Sequence, residues 1–293
     1  MGKRKTVILL GGTGFIGSAL ADELIRREER VISISRNIPE KQEAGIEYHA
    51  FDIAAQPEKL AEVLGIGNTI FLLIGQNHAG FDTGKEVETL SKILDRVKIS
   101  SPEKVFFTSS VLVYGECNTP ADEEYTLNPK EAYSEYKVLC ERMVQEKLSG
   151  IPVGILRLAN VYGSEKNRGF VGLVFKKMLE GSDMKVNSDG MQERDYIFVD
   201  DVVSAMIAVK EKLKESDTIN IATGKSETLL DVMAVVSEVT GKEMKYEITG
   251  IPLQEVEKSR IDSTKLVEKY GFVPRVFLKE GIQKTWERYN KKV

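Results

Sequence analysis

The chain has 293 residues, 41 of them Lys or Arg and 45 Asp or Glu, which leaves a formal net charge of -4. This length suits one large α/β domain with an added lobe, and a hydrophobic content of 42% supports a sizeable core rather than disorder. Proteins that bind nucleic acid usually carry a basic excess, which this chain lacks, so we predict no nucleic-acid partner.

Cysteine and histidine are sparse, with only Cys117, Cys140, His49 and His78. No CxxC, HxxxH or HExxH spacing occurs, so we predict no metal site and two free thiols in a reducing compartment. Residues 3–5 are basic and precede an apolar run, as in a signal peptide, but glycines from Gly11 onward break that run. No apolar stretch reaches the ~20 residues of a membrane span, so we expect a cytoplasmic protein without a membrane partner.

Short apolar runs alternate with helical patterns along the first half of the chain. Asn128 and Pro129 predict the N-cap and first residue of the fourth helix. After residue 160 the alternation loosens. Strands are predicted at 6–10, 30–35, 47–51, 69–74, 104–108 and 153–158; helices at 17–27, 57–64, 84–97 and 129–148; and later elements at 196–212, 218–222, 228–240 and from 279.

This alternation predicts an α/β fold, a Rossmann-type doubly wound parallel sheet with right-handed crossovers. The dinucleotide-binding domain is predicted at 1–164, with 195–222 packing back on it. Residues 165–194 and 223–293 are predicted to form a smaller interleaved lobe, because no repeat or flexible linker separates them. Ligands of such sheets bind beyond the carboxyl ends of the strands.

The segment Gly11-Gly12-Thr13-Gly14-Phe15-Ile16-Gly17 follows the first strand and opens the first helix. Glycines allow a tight turn and a close approach of pyrophosphate to the backbone. The helix N-terminus adds N–H donors and the positive end of its dipole. The sequence therefore predicts a nicotinamide dinucleotide site at this turn.

The end of the second strand reads Ser33-Ile34-Ser35-Arg36-Asn37, with no acid for the ribose 2′-hydroxyl. Arg36 favours the 2′-phosphate of NADP, and NAD stays open because Arg36 is also typical of a solvated surface residue. Asp52 and Ile53 follow the third strand. Asp52 is consistent either with a bond to the adenine amino group or with capping of a turn.

Tyr133 and Lys137 lie four residues apart on one face of a predicted helix. A neighbouring ammonium favours the phenolate, so we expect Lys137 to lower the pKa of Tyr133 and fit it for proton exchange with a sugar hydroxyl during hydride transfer. Ser110, at the carboxyl end of a strand, is expected to bond the reacting oxygen. A second YxxxK match at 162–166 lies in a loop and is rejected.

These features resemble the extended short-chain dehydrogenase/reductase family of nucleotide-sugar epimerases, dehydratases and reductases, over nearly the whole chain. Besides the glycine-rich turn and Tyr133-xxx-Lys137, the matching motifs are Ser109-Ser110 with Val113-Tyr114-Gly115, Leu156-Arg157 with Asn160-Val161-Tyr162-Gly163, Arg194-Asp195-Tyr196-Ile197 with Val199-Asp200-Asp201, and Asp262-Ser263-Thr264-Lys265 with Tyr270-Gly271-Phe272.

The resemblance implies a role for each motif. Tyr133 is the acid/base, Lys137 binds the nicotinamide ribose, and Ser110 holds the substrate oxygen. A homodimer through helices 84–97 and 129–148 is implied, although their apolar stripes are equally typical of core faces. Asn160 and Arg194 contact the phosphates of a nucleotide-sugar. The pyrophosphate-binding Arg that the family has before the Asp262 motif has no clear match, and Arg260, the nearest candidate, sits closer to that motif than expected. The cofactor contacts are Gly11, Gly14, Phe15, Ile16, Gly17, Arg36, Asp52, Ile53, Gly75, Tyr133 and Lys137.

Departures from the family pattern help to choose among its activities, which are epimerisation, dehydration and reduction. Val111-Leu112 follows Ser110 where dehydratases have Asp-Glu, so dehydration is disfavoured. Glu86 stands where Asn is common, and Tyr136 where Ser is usual. A sugar 4-epimerase is the leading hypothesis, and an NADP-dependent 4-keto-6-deoxy-sugar reductase is the alternative that Arg36 favours. A non-catalytic dinucleotide sensor is less favoured, because Ser110 and the Tyr-Lys pair are present.

Overall fold

The structure is a computed structural model that describes residues 6–65, 69–75, 82–167, 169–252 and 256–290. The predictions on residues 3–5 and on His78 lie outside these ranges. The chain divides into two compact units. The first comprises Met1–Ser110, Ala132–Arg157 and Val209–Ile219, and the second Val111–Glu131, Leu158–Ala208 and Asn220–Val293. The predicted domain limits stay a prediction.

Up to residue 158 strands and α-helices largely alternate, with two places where one strand follows another without an α-helix between them. In chain order the elements are β1 (Thr6–Leu10), α1 (Phe15–Arg26), β2 (Arg30–Ser35), β3 (Ile46–Ala50), α2 (Leu60–Leu64), β4 (Thr69–Leu72), α3 (Thr83–Ser100), β5 (Lys104–Ser110), β6 (Cys117–Ala121), α4 (Ala132–Lys147), β7 (Val153–Leu158), β8 (Asn160–Tyr162), α5 (Phe170–Glu180), β9 (Met184–Val186), β10 (Glu193–Phe198), α6 (Val199–Lys212), β11 (Asp217–Ile221), β12 (Ser226–Thr228), α7 (Leu229–Thr240), β13 (Tyr246–Ile248), β14 (Ser259–Ile261), α8 (Thr264–Glu268) and α9 (Leu278–Asn290).

A seven-stranded sheet forms the centre of the first unit, in the order β11-β7-β5-β4-β1-β2-β3. The pairs β1–β2, β1–β4, β2–β3 and β4–β5 are parallel, so the predicted Rossmann-type α/β fold is confirmed. The chain moves outward from β1 to β2 on one side and to β4 on the other. Ligands of open α/β sheets bind at such a reversal of strand order, which places the expected site at the end of β1.

Burial on both faces explains why the strands read as unbroken apolar runs. All five residues of β1 are buried, and four of the six residues of β2. Helix α3 packs Leu90, Leu94 and Val97 into the same core. The apolar stripe of α3 is therefore a core face, one of the two interpretations left open by the sequence.

The predicted start of the fourth helix is wrong. Helix α4 begins at Ala132, whereas the Asn128-Pro129 pair predicted a start at residue 129. The N–H of Asn128 donates to the carbonyl of Val113 at 3.1 Å, so this residue is engaged by a contact distant in sequence. Tyr133 and Lys137 nonetheless lie on the helix.

Three small sheets belong to the second unit: β12-β10-β8, β13-β9 and β14-β6. Its core packs Phe175, Phe198, Val232 and Ile282. Helix α7 starts at a capping box, in which Thr228 accepts the backbone N–H of Asp231 and the Asp231 carboxylate accepts that of Thr228.

Candidate active site

The glycine-rich turn joins β1 to α1 as predicted. Gly11 has φ +95°, and a Cβ there would lie 2.6 Å from the carbonyl oxygen of Leu73, so only glycine fits. A Cβ on Gly17 would overlap the carbonyl oxygen of Gly11. Gly14 is the N-cap of α1, and within the described residues no side chain caps this end. The first N–H groups of a helix have no acceptor within the helix, so the uncapped start of α1 suits an anion.

A cavity of about 330 Å³ opens at the reversal of strand order and belongs wholly to the first unit. Six of the predicted cofactor residues line it: Gly11, Gly14, Arg36, Asp52, Ile53 and Gly75. The other three glycine-turn candidates, Phe15, Ile16 and Gly17, lie in the first turn of α1. The glycine cradle and the cavity fit the pyrophosphate and the adenosine half of a dinucleotide.

Arg36 and Asp52, whose roles the sequence left open, both line this cavity. Arg36 is exposed at the cavity, and across the described ranges no hydrogen bond or ion pair engages its guanidinium. Asp52 Oδ1 accepts the N–H of Ala54 at 2.9 Å, the contact of a turn-capping aspartate, while Asp52 also lines the cavity.

Lys137 is 2% exposed and donates from Nζ to the carbonyl of Thr108 at 2.8 Å and to that of Ile74 at 3.4 Å. Ile74 lines the cavity, so the ammonium lies beside the cofactor space. Burial lowers the pKa of Lys137 to about 8. Its Nζ lies 5.6 Å from the ring centroid of Tyr133.

The expected lowering of the pKa of Tyr133 is wrong for this structure. Burial raises the pKa of Tyr133 to about 12, and the field of Cys140 adds to the rise. Burial removes water from the phenolate and disfavours that charged form, which is the main cause of the rise. Ser110 ends β5, two residues after the carbonyl that Lys137 contacts, and is 9% exposed. The structure therefore places these three side chains on two neighbouring elements of the first unit.

Glu86 of α3 and Tyr136 of α4 also line the cavity. From the sequence these two residues were noted only as departures from the family pattern. Tyr136 is 2% exposed, and its hydroxyl packs against Gly75. Glu86 lies in the first turn of α3 and Tyr136 in the second turn of α4. The closeness of each residue to the start of a helix is the sequence signal that could have indicated a place at the cavity.

The predicted substrate residues of the second unit are all engaged by protein groups. Asn160 Nδ2 donates to the carbonyl of Asp195 at 3.1 Å. Arg194 donates to the carbonyls of Glu193, Glu257 and Val256 at 2.9, 3.2 and 2.5 Å.

Arg260 pairs with Glu193 through Nε at 2.6 Å and Nη2 at 2.8 Å, and its Nη1 donates to the carbonyl of Asn118 at 3.1 Å. The carboxylate of Glu193 therefore pairs with Arg260, while its backbone carbonyl accepts from Arg194.

Within the described residues no group of His, Cys, Asp and Glu side chains is arranged to hold a metal ion. Cys117 and Cys140 are free and buried. A search of the same residues finds no helix with the length and apolar character of a membrane span.

The pattern of the NAD dependent epimerase/dehydratase family matches residues 7–222. The chain is 29% identical to a putative UDP-glucose 4-epimerase of Methanocaldococcus jannaschii, over 97% of this chain and 99% of that protein. The structure of the Thermotoga maritima UDP-glucose 4-epimerase with UDP-glucose is similar, with a TM-score of 0.88, 28% identity and coverage of 98% and 99%.

A second similar structure, MoeE5 with UDP-glucuronic acid and NAD, has a TM-score of 0.91 at 24% identity, covers 98% of this chain and 100% of its own, and shares the fold. The family match covers most of the chain, including the glycine-rich turn and the Tyr133–Lys137 pair. The chain therefore belongs to the NAD dependent epimerase/dehydratase family and is an enzyme of the extended short-chain dehydrogenase/reductase type.

Proposed function

We propose that this enzyme is a nucleotide-sugar 4-epimerase in which Tyr133 is the acid/base. The observation that carries the proposal is the position of Lys137, whose ammonium contacts the carbonyl of Ile74 at the cofactor cavity and lies 5.6 Å from the ring of Tyr133. A similar protein of known structure binds UDP-glucose, which supports a UDP-sugar as substrate.

In this reaction the 4-hydroxyl of the sugar loses a proton to Tyr133 and its carbon loses a hydride, which gives a ketone. A nicotinamide dinucleotide supplies the hydride acceptor and, in the reverse step, the donor. Tyr133 then returns the proton to the oxygen when the hydride reaches the opposite face. Ser110 is proposed to hold that oxygen, and Lys137 in its ammonium form to stabilise the phenolate that the first step needs.

NADP remains the proposed cofactor preference on the strength of Arg36, whose unengaged guanidinium suits a phosphate. NAD is present in a similar structure, and a preference for NADP is not supported by the comparisons. For the second unit, Asn160, Arg194 and Arg260 are proposed as nucleotide-sugar contacts.

The test of the mechanism is Tyr133→Phe. We expect UDP-glucose and UDP-galactose interconversion to fall by at least about a thousandfold, because the proton exchange is lost, while dinucleotide affinity changes less than about threefold. Tyr246→Phe, at a half-exposed tyrosine of β13, is the control and keeps wild-type turnover. Unchanged turnover in Tyr133→Phe overturns the mechanism.

The second candidate, a 4-keto-6-deoxy-sugar reductase, is favoured by Arg36. Purified protein is denatured and any released dinucleotide is identified, and the emptied protein is titrated with NADH and NADPH. A dinucleotide retained through purification favours the epimerase, because an epimerase regenerates its cofactor in each turnover, and NAD as that dinucleotide overturns the NADP preference. An empty protein that prefers NADPH favours the reductase.

We also propose a homodimer through α3 and α4. The family resemblance implies this pair of helices, and each carries an exposed apolar side chain, Ile99 on α3 at 73% and Leu139 on α4 at 45%. Light scattering of wild type and of the Ile99→Glu/Leu139→Glu variant tests it. A mass of one chain for the wild type contradicts the proposal.

A further inference from the structure

A buried polar cluster joins three elements of the first unit behind the proposed site. Ser109 on β5 donates from Oγ to Oε1 of Glu141 on α4 at 2.5 Å. Arg157 on β7 donates from Nε to the same oxygen at 3.1 Å and from Nη2 to Oε2 at 2.8 Å. The three residues are 4%, 4% and 5% exposed. Because the ion pair is bidentate, it fixes the orientation of the Glu141 carboxylate as well as its distance from Arg157.

The cluster adjoins the proposed catalytic groups through covalent and helical neighbours. Ser109 precedes Ser110 in β5, and Glu141 follows Lys137 by one helical turn and Tyr133 by two, on the same face of α4. Lys137 Nζ binds the carbonyl of Thr108, which directly precedes Ser109. The same helix therefore contacts the end of β5 twice, once through Lys137 and once through Glu141.

We infer that Glu141 is a positioning residue of the active site, whose carboxylate ties the strand of Ser110 and the strand of Arg157 to the helix of Tyr133 and Lys137. This inference rests on the proposed function. Misplacement of reacting groups by about 1 Å can cost about a hundredfold in rate, so a single tie of this kind has a large effect on turnover.

Glu141 also acts on the charge of Lys137. Burial lowers the pKa of Lys137, and three acidic groups oppose that fall: Cys140 and Glu141 on α4, and Glu86 on α3. Loss of the Glu141 charge would leave the guanidinium of Arg157 without its carboxylate, which disfavours a second cation nearby. Groups around the ammonium are the rings of Phe107, Tyr133 and Tyr136, the carbonyls of Ile74 and Thr108, and the acidic groups Glu86, Cys140 and Glu141.

The test compares Glu141→Gln with Ser109→Ala, and with Glu146→Gln as the matched control, because Glu146 is exposed on the same helix. In Glu141→Gln we expect turnover to fall at least about tenfold while KM changes less than about threefold, and the alkaline limb of the pH profile to move down by about one unit. In Ser109→Ala turnover falls less and the limb stays in place. Wild-type turnover and an unmoved limb in Glu141→Gln overturn the inference.

A direct titration separates this inference from the proposed reaction. The 13Cε signal of Lys137 is followed with pH in lysine-labelled protein and is identified by its loss in Lys137→Met. Glu141→Gln is expected to lower the midpoint by about one pH unit, whether or not the protein turns over a UDP-sugar. A midpoint equal to that of Glu146→Gln refutes the role of Glu141.

Should Glu141→Gln fail to fold, Glu141→Gln/Arg157→Gln removes both buried charges together and avoids an uncompensated guanidinium. That double variant is expected to fold, to bind dinucleotide within about threefold of wild type and to lose at least about tenfold in turnover. Wild-type turnover in the folded double variant also overturns the inference.

Discussion

Gly75 and Tyr136 fit against each other at the cofactor cavity: a Cβ on Gly75 would lie 2.7 Å from the hydroxyl oxygen and 3.1 Å from Cε1 of Tyr136. Gly75 also has φ +81°, a conformation that side chains disfavour. The tyrosine on α4 and the glycine after β4 are therefore complementary in shape, and we expect substitutions at the two positions to have coupled effects on stability.

Gly75→Ala is expected to lower the free energy of unfolding by about 2 to 3 kcal/mol, because backbone strain and the contact with Tyr136 add together. Gly150→Ala is the control, since Gly150 has φ +90° with no atom within 4 Å of its Cβ position, and we expect it to lose only the strain, about 1 kcal/mol. Adding Tyr136→Phe to Gly75→Ala is expected to restore part of the loss. Urea unfolding of wild type, Gly75→Ala, Tyr136→Phe, the double variant and Gly150→Ala measures the coupling, and strict additivity of the first two changes would contradict it.

Lys137 is expected to make stability rise with pH above 8. Its pKa is about 8 in the native state and near 10.5 when unfolded, so between these values the unfolded state holds more protons. Wild type should gain about 2 to 3 kcal/mol relative to Lys137→Met between about pH 7.5 and about pH 10 in urea unfolding. Lys98→Met, at an exposed site of α3, is the control for the loss of a lysine side chain. A constant difference for Lys137→Met would show that its pKa is not lowered.

Arg36→Ser is expected to weaken NADPH binding at least about tenfold and to change NADH binding less than about threefold, because only NADPH carries the 2′-phosphate. Fluorescence titration of the emptied protein gives both affinities. Lys41→Ser, at an exposed lysine away from the cavity lining, controls for lost surface charge. Equal losses for both dinucleotides would assign Arg36 a general role in the fold of the cavity.

Arg260→Met is expected to raise KM for the UDP-sugar by about tenfold if the guanidinium binds phosphate, as proposed. Glu193 competes for that guanidinium, with its carboxylate oxygens at 2.6 and 2.8 Å. Glu193→Gln therefore leaves KM unchanged or lowers it. Steady-state kinetics on both variants decides, and an equal rise of KM in both would show that the ion pair itself supports the site.

The elements that the sequence predicts correctly are those in which local pattern and burial agree. The limits of β1 and β2 coincide with the predicted runs, because strands buried on both faces are apolar throughout. The glycine-rich turn was predictable because its backbone demands leave few residue types possible. The start of α4 was not, since Asn128 bonds to Val113, and a tertiary contact overrides the Asn-Pro signal.

The electrostatics of the site were the least predictable part. Spacing alone indicated an ammonium next to a phenol, but not the burial that raises the pKa of Tyr133. The partners of Arg194 lie 62 and 63 residues away at Val256 and Glu257, beyond the range of any local pattern. The Ser109–Glu141–Arg157 cluster likewise unites three elements whose link exists only in the folded chain.

The order of the strands has a consequence for synthesis on the ribosome. Strand β7 is buried at all six residues in the finished protein, and its outer neighbour β11 is translated only after β8, α5, β9, β10 and α6. A nascent chain that has just delivered residue 158 therefore presents an apolar strand with an open hydrogen-bonding edge until residue 221 emerges. We therefore expect a chaperone that covers this edge during the interval to lower the aggregation of the nascent chain.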